Sequence, residues 1–321
     1  MYFLKRIVFI IPLLLLISFL AFLLMKLAPG GPFDQERAPA SEAIKKNIEA
    51  KYHLNEPAWK QYLRYLGVLW ERDAATGKVH RVSGGLLVGD FGPSFKYRDH
   101  SVNNIIAQAL PVSLSLGFLA FVFVQCVGIP LGFYTAVHRG QLGDYVGSFF
   151  AILAVCIPAL VVAPVLIMFF AIRWHWFPPG LWGAPAYAIL PMIALGLFYA
   201  GKVARLMREG LLNTFQSEFI TTARAKGVPE TKILWKHAFR LAVLPVVSYS
   251  GPLLADLLTG SFVVEAAFQI PGIGVFIVNS MLNRDMPMTI GLVILYAVLL
   301  LVLNLLVDLS YSLLDPRVRY D

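Results

Sequence analysis

A chain of 321 residues that is 58% hydrophobic and 14% charged, with a mean hydropathy of +0.69, is not a water-soluble domain; it reads as an all-α polytopic membrane protein. Its formal charge is +8, and its two cysteines, Cys126 and Cys156, lie in separate apolar runs without metal-like spacing, so a disulfide or zinc site is not expected and both are assigned as small packing hydrophobes. HExxH, GxSxG and CxxC patterns are missing and the six histidines are scattered, which leaves no convergent polar cluster for an integral-membrane enzyme.

Lys5 and Arg6 precede an apolar run from Ile7 to about Leu27, which ends in Lys-Leu-Ala-Pro-Gly-Gly-Pro without a small-residue cleavage site. This predicts a retained first span, residues 1–28, with a cytoplasmic N-terminus. Residues 29–104 then form a periplasmic segment. Within it, Ser41 to Tyr52 and Asn55 to Trp70 read as helices. In the second, Trp59, Tyr62, Leu63, Leu66, Leu69 and Trp70 make an apolar and aromatic stripe suited to the membrane interface or to the outer ends of the spans. Glu71 to Val88 matches no motif, and Gly89-Asp90-Phe91-Gly92-Pro93-Ser94 reads as a turn.

The remainder, residues 105–321, carries further apolar stretches near Leu110–Ala136, Val146–Ile172, Ala186–Val203, Val243–Val264 and Met288–Leu314, each long enough for a hydrocarbon core of about 30 Å. With the first span the expectation is six transmembrane helices and both termini inside. Pro111, Pro130, Pro158, Pro164, Pro191 and Pro252 lie in or beside these spans, where each removes a backbone hydrogen bond and favours a kink. Trp174, Trp176 and Trp182 read as anchors at the outer interface. Between Lys202 and Arg240 stand eight basic residues against three acidic ones, which marks the polar loop 204–242 as cytoplasmic.

Gly196 to Lys202 fits the G-x-x-x-x-G-K phosphate-loop pattern, but Val203 stands where a Mg²⁺-binding Ser or Thr belongs, and an apolar span rather than a strand precedes it. This chain is therefore not expected to hydrolyse ATP by itself; if transport is ATP-driven the ATPase is another polypeptide, and neither cofactor nor metal is assigned to this one. Two acids lie inside the later spans. Asp308 is close enough to the inner interface to be structural; Asp256 either lines a translocation path or makes a structural hydrogen bond.

Phe215 to Pro245 is a polar interruption that has to stand in water or at headgroups. Ser217 and Glu218 start a helix, Gly227 stops it in the left-handed region, and Pro229 opens a second helix. In the second, Leu234, Ala238 and Leu241 are read as the apolar stripe, with Lys232, Lys236 and Arg240 on another face suited to anionic lipid headgroups or an acidic partner.

The run Thr221-Thr222-Ala223-Arg224-Ala225-Lys226-Gly227, with Leu244-Pro245 downstream, resembles the cytoplasmic coupling loop of ABC-importer permeases. Thr221 and Thr222 stand where the common pattern has Glu and its first Ala, and Leu-Pro comes later, both as in the peptide-importer subgroup. The Gly89–Ser94 turn and the segment Glu265-Ala-Ala-Phe268-Gln-Ile-Pro271-Gly272-Ile-Gly274, followed by Asn283-Arg284-Asp285, are similar to elements of the same permeases. So is the C-terminal Asp-Pro-Arg-Val-Arg-Tyr. The resemblance is closest to the B-type transmembrane subunit of oligopeptide importers.

What this resemblance implies is a type I importer permease moving oligopeptides across the bacterial cytoplasmic membrane. It implies as partners a second, similar permease subunit, two cytoplasmic ATPase subunits that bind ATP and Mg, an external peptide-binding protein and membrane lipid, without nucleic acid. Thr221 to Gly227 would couple to the ATPases; Asp256, Glu265, Pro271 and Gly272 are candidates for the path or its outer gate. An ion-coupled transporter or channel is the alternative, against which stand the few intramembrane acids and the absence of an evident inverted repeat.

Overall fold

The protein is seen here as a computed structural model that describes residues 2–27, 53–72, 79–81, 84–97, 100–259 and 262–314. The helix expected at Ser41 to Tyr52 and the basic end with Arg317 and Arg319 lie outside the described residues. Helix α1 (Tyr2–Leu27) carries Lys5 and Arg6 in its first turns and is apolar all round from Ile7 to Met25, as a bilayer helix has to be. Helix α2 (Ala58–Leu66) is shorter than the Asn55 to Trp70 expected, because Pro57 stays extended before it and Gly67 ends it at φ +77°. Trp70 belongs instead to a two-stranded antiparallel ribbon, β1 (Trp70–Arg72) with β2 (Val79–Arg81), Glu71 lying opposite His80.

Next come α3 (Val102–Val137), α4 (Leu142–Cys156) and α5 (Ala159–Arg173). Pro158 has no N–H to give and forces Ile157 into extended backbone, φ −96° and ψ 119°, so α4 and α5 meet at a bend of 107°. Then follow α6 (Pro185–Phe215), α7 (Glu218–Ala225) and α8, made of the consecutive stretches Glu230–Lys232, Ile233–Ala238 and Phe239–Ala242. Helices α9 (Leu244–Thr259), α10 (Phe262–Ala267), α11 (Ile273–Leu282) and α12 (Met286–Leu314) complete the described chain. Five runs are long and apolar enough to cross a bilayer, and the bent pair α4 and α5 makes a sixth if it counts as one span.

The chain divides into two compact units, one of Met1–Pro111, Val275–Leu301 and Tyr320–Asp321 and one of Val112–Gly274 and Val302–Arg319. In the first, Tyr62 of α2 shares a hydrogen bond of 2.8 Å with Ser18 of α1 and sets its ring edge-on to Phe19. So α2 docks on the first span. Phe22, Ile290 and Ile294 form the local core with Tyr65, Leu86 and Phe91 against them.

In the second unit the core runs through Leu116, Val124, Leu190, Met207, Leu211, Leu253 and Phe268, all buried. Small residues let the helix backbones meet there: a Cβ on Gly132 would run into the Ala204 carbonyl oxygen, and one on Gly201 into that of Ala151. Gln125 of α3 donates to Ser250 Oγ of α9 at 2.8 Å, one polar bond between two apolar helices. Cys126 and Cys156, assigned as small packing hydrophobes, are both exposed, each on the outer face of its apolar helix.

Candidate functional site

The loop between α6 and α9 is a pair of short helices anchored to the second unit. Ser217 sits at the start of α7 in extended backbone, φ −76° and ψ 146°, but its hydroxyl turns back to the Thr214 carbonyl and does not cap the helix. Only Ile220 of α7 is buried; Thr221, Thr222, Arg224, Ala225, Lys226 and Gly227 are exposed and Ala223 is half-buried. Gly227 adopts φ +74° with open space around it, so its requirement is conformational, not steric. Across that turn Arg224 reaches Glu230 with two hydrogen bonds, 2.7 and 3.3 Å, tying α7 to α8. The Arg224 guanidinium holds the Glu230 carboxyl below its ordinary range, and Glu230 in return raises Arg224.

Helix α8 corrects one sequence expectation. The residues it buries are Ile233, Ala238 and Ala242, not Leu234, Ala238 and Leu241; Leu241 is 44% exposed. The stretch Ile233–Ala238 is π-helical, so the inward face recurs after five residues before the α spacing returns. A 3.6-residue rule applied throughout misplaces the stripe by one. Lys232, Lys236 and Arg240 are exposed as expected. Against α6 the fit is tight, since a Cβ on Gly210 would meet the Ala242 carbonyl oxygen. Trp235 stacks on Phe133 of α3 with ring centroids 4.7 Å apart.

The segment after α10 is a buried clamp. Glu265 is fully buried, and its Oε2 accepts the Gly274 N–H at 2.7 Å. Its backbone carbonyl accepts Ile270 N–H, and Ser113 Oγ of α3 accepts Ile273 N–H at 2.9 Å. A Cβ on Gly272 would stand 2.6 Å from Ser113 Oγ and closer still to Glu265 Oε2. Glu265, Pro271 and Gly272 thus belong to one turn, with the Glu265 carboxylate buried and bonded to the Gly274 N–H rather than facing solvent.

Two further motifs converge in the first unit. Ser94 Oγ donates to Asp285 Oδ2, the Phe95 N–H donates to Oδ1 at 3.1 Å and the Lys96 N–H to Oδ2 at 3.3 Å. Asp285 Oδ1 also accepts Met288 N–H at 3.3 Å in the first turn of α12, where a carboxylate favours the helix start. Lys96 Nζ donates to Asn283. The Gly89–Ser94 turn and Asn283-Arg284-Asp285, far apart in sequence, are therefore one structure around a buried aspartate. Nothing in the string Asn283-Arg284-Asp285 singles out Asp285, because its partners Ser94, Phe95 and Lys96 are remote in sequence.

Residues 128–320 match the family model "Binding-protein-dependent transport system inner membrane component", and residues 1–117 match the N-terminal model of the same kind of protein. The chain belongs to this family. It is 43% identical to the oligopeptide transport system permease protein OppB of Haemophilus influenzae over 98% of each chain, and 43% identical to OppB of Escherichia coli K12 over 99% of this chain and 98% of that one. The dipeptide transport system permease protein DppB of Bacillus subtilis is 39% identical, over 99% and 97%. Among solved structures, an inward-facing MetNI methionine ABC transporter superposes with a TM-score of 0.56 at 17% identity, covering 66% of this chain and 96% of that one. An amino acid ABC transporter gives 0.51 at 20% identity. These two establish the fold.

For an inner-membrane transport component, a charge exposed on an intramembrane helix is the feature to explain. Asp256 is exposed on α9, and Lys202 of α6 lies within its electrostatic reach, with Tyr199 and Tyr249 beside it. Lys202 Nζ stands 4.4 Å from the Phe198 ring centroid, a cation–π distance. In sequence, Lys202 closes the G-x-x-x-x-G-K pattern and opens the basic stretch that runs to Arg240. Gly196 to Lys202 is instead continuous helix, with Gly196 packed on Phe123 and Gly201 on Ala151. Lys202 is legible in the sequence as a lone lysine in an apolar run. Asp256 does not join the Glu265 clamp; path and gate candidates are two places, not one.

Proposed function

We propose that this chain is one transmembrane subunit of an ATP-driven importer that moves oligopeptides across the bacterial cytoplasmic membrane. The observation that carries it is the 43% identity to OppB over nearly the full length of both chains. It works with a second similar permease subunit, two cytoplasmic ATPase subunits that bind ATP and Mg, and an external peptide-binding protein. The chain itself is non-catalytic. Residues 1–28 are the first span and 29–104 an external segment; 105–321 is the permease core with the coupling loop 204–242, and both termini are inside.

Thr221 to Gly227 is the face the ATPases grip. What supports this is exposure along one short helix whose opposite side, through Ile220, is buried in the core. Arg224, Glu230 and the close approach of Gly210 to Ala242 make the pair stiff, so a push on α7 reaches α9 through α8 and Leu244-Pro245. Asp256 and Lys202 line the path, where water and partner groups offset the cost of intramembrane charge. Glu265, Pro271 and Gly272 brace the outer gate from behind. The ion-coupled alternative has no such observation in its favour.

Uptake of a labelled oligopeptide into proteoliposomes holding the assembled transporter is the test: it should need ATP and survive a protonophore. Uptake that ignores ATP and collapses with the protonophore overturns the reading. For the path, Asp256→Cys in a background with Cys126 and Cys156 replaced by Ser should react with a water-borne thiol reagent. No labelling in any nucleotide state removes Asp256 from the path.

A further inference from the structure

At the start of α4 the chain forms a cleft of about 410 Å³ against α6, and its lining carries three arginines, Arg139, Arg205 and Arg208, and one acid, Glu209. Arg208 is already committed: its Nε and Nη2 each lie 2.9 Å from the carboxylate oxygens of Asp144, whose side chain is 7% exposed. Arg139 and Arg205 are exposed, and against Glu209 they leave one positive charge at the cleft mouth. One such charge matches one phosphodiester.

The apolar surroundings say where that phosphodiester comes from. Leu142, Tyr145, Phe149 and Ile152 are 78%, 68%, 59% and 51% exposed, and their spacing puts them on one face of α4. Ile152 also lines the cleft, as does Leu212. An aliphatic and aromatic strip that runs out of a basic cleft, at the end of two apolar helices, has the chemistry of an interfacial lipid: headgroup on the arginines, acyl chain along the strip. A soluble phosphate would have no use for the strip, and an acidic protein segment would leave it uncovered.

We infer that the cleft between α4 and α6 is a binding site for an anionic phospholipid, held through its phosphodiester by Arg139 and Arg205, with the Asp144–Arg208 pair fixing the cleft wall. The bound lipid wedges the inner ends of these two helices, next to the loop that leaves α6. This goes beyond the transport reading and does not depend on what is carried.

The assembled transporter is purified with its partner subunits, placed in nanodiscs of phosphatidylcholine with graded phosphatidylglycerol, and the lipid it retains is read by native mass spectrometry. The wild-type complex should retain phosphatidylglycerol in preference to phosphatidylcholine and phosphatidylethanolamine. Each arginine at an anionic surface is worth about fivefold, so Arg139→Gln with Arg205→Gln should lower the preference by about 30-fold. Each single variant should lower it about fivefold, which keeps the test open if the double variant does not assemble, and Arg173→Gln, outside the cleft, should leave it unchanged. Retention equal to wild type in the arginine variants overturns the site. Displacement by inorganic phosphate overturns the lipid assignment in favour of a soluble phosphate ester, and equal retention of all three lipids overturns its anionic character.

Discussion

Replacing Gly272 by Ala tests the clamp around Glu265 most directly. The glycine is not needed for its backbone, since Gly272 is not among the described glycines with positive φ. It is needed for space: the new methyl would meet Glu265 Oε2 and Ser113 Oγ, and both atoms are pinned by the N–H groups of Gly274 and Ile273. One of them has to let go. Overpacking costs about 1–3 kcal/mol, and losing a hydrogen bond to a charged group about 1.5–3 kcal/mol, so Gly272→Ala should destabilise by about 2.5–6 kcal/mol. Glu265→Ala loses the same bond, so the double variant loses it once. In a reversible SDS-unfolding cycle the two substitutions should fall short of additivity by about 1.5–3 kcal/mol. Gly201→Ala collides with Ala151 and shares no partner with Glu265, so with Glu265→Ala it should add within about 0.5 kcal/mol. Additivity of Gly272→Ala with Glu265→Ala to that same margin would refute the clamp.

At Gly227 an alanine takes on about 1–2 kcal/mol of left-handed backbone strain, whereas asparagine tolerates that region, so ATP-dependent uptake at matched expression should rank Asn above Ala above Val; equal rates for all three would detach the turn from coupling. Because Arg224 holds the Glu230 carboxyl below its ordinary value, the pair's contribution is complete above that value and is lost as pH falls through the lowered one. Difference infrared titration, with Glu230→Gln to assign the band, should show Arg224→Gln moving it back up; an unmoved band would mean the pair is not formed in the membrane complex. Reporter fusions after Gly140, Gly227 and Arg319 should read inside and those after Gly85 and Gln269 outside, and opposite readings at Gly140 and Gly227 would show that the bent pair does not cross.

Much of this was legible before any coordinates. Hydropathy alone locates every long helix, because a bilayer demands the same apolar run whatever the fold. The stop at Gly227 and the start after Pro229 follow from local chemistry, and both stand. One failure comes from assumed periodicity. Lengthening the turn at Ile233–Ala238 by one residue transfers burial from Leu241 to Ala242, and no propensity of the residues Ile-Leu-Trp-Lys-His-Ala announces it. Ser217 has the right side chain for a cap, yet a nearer carbonyl on Thr214 captures its hydroxyl. Asp285 and the Asp144–Arg208 pair needed tertiary knowledge, since each joins segments remote in sequence.

Pro158 shows how far a local rule reaches and where it stops. It predicts a kink, and the kink is there, but its size decides something a kink does not: whether Leu142 to Arg173 passes through the membrane. Two legs of 15 residues each are about 22 Å long at 1.5 Å per residue. Joined at a bend of 107°, they reach about 26 Å end to end, just under a hydrocarbon core of about 30 Å. The pair therefore crosses only if the line between its ends stands along the bilayer normal and both ends sit at the interfaces. The residues at those ends fit that requirement: Arg139 precedes one leg, and Arg173, Trp174 and Trp176 close the other. With a crossing here, the basic loop around Gly140 and the basic helix pair around Gly227 lie on one side of the membrane. Without it they are separated, the positive charge is split between two compartments, and the face of α7 is out of reach of any ATPase that shares a side with Gly140.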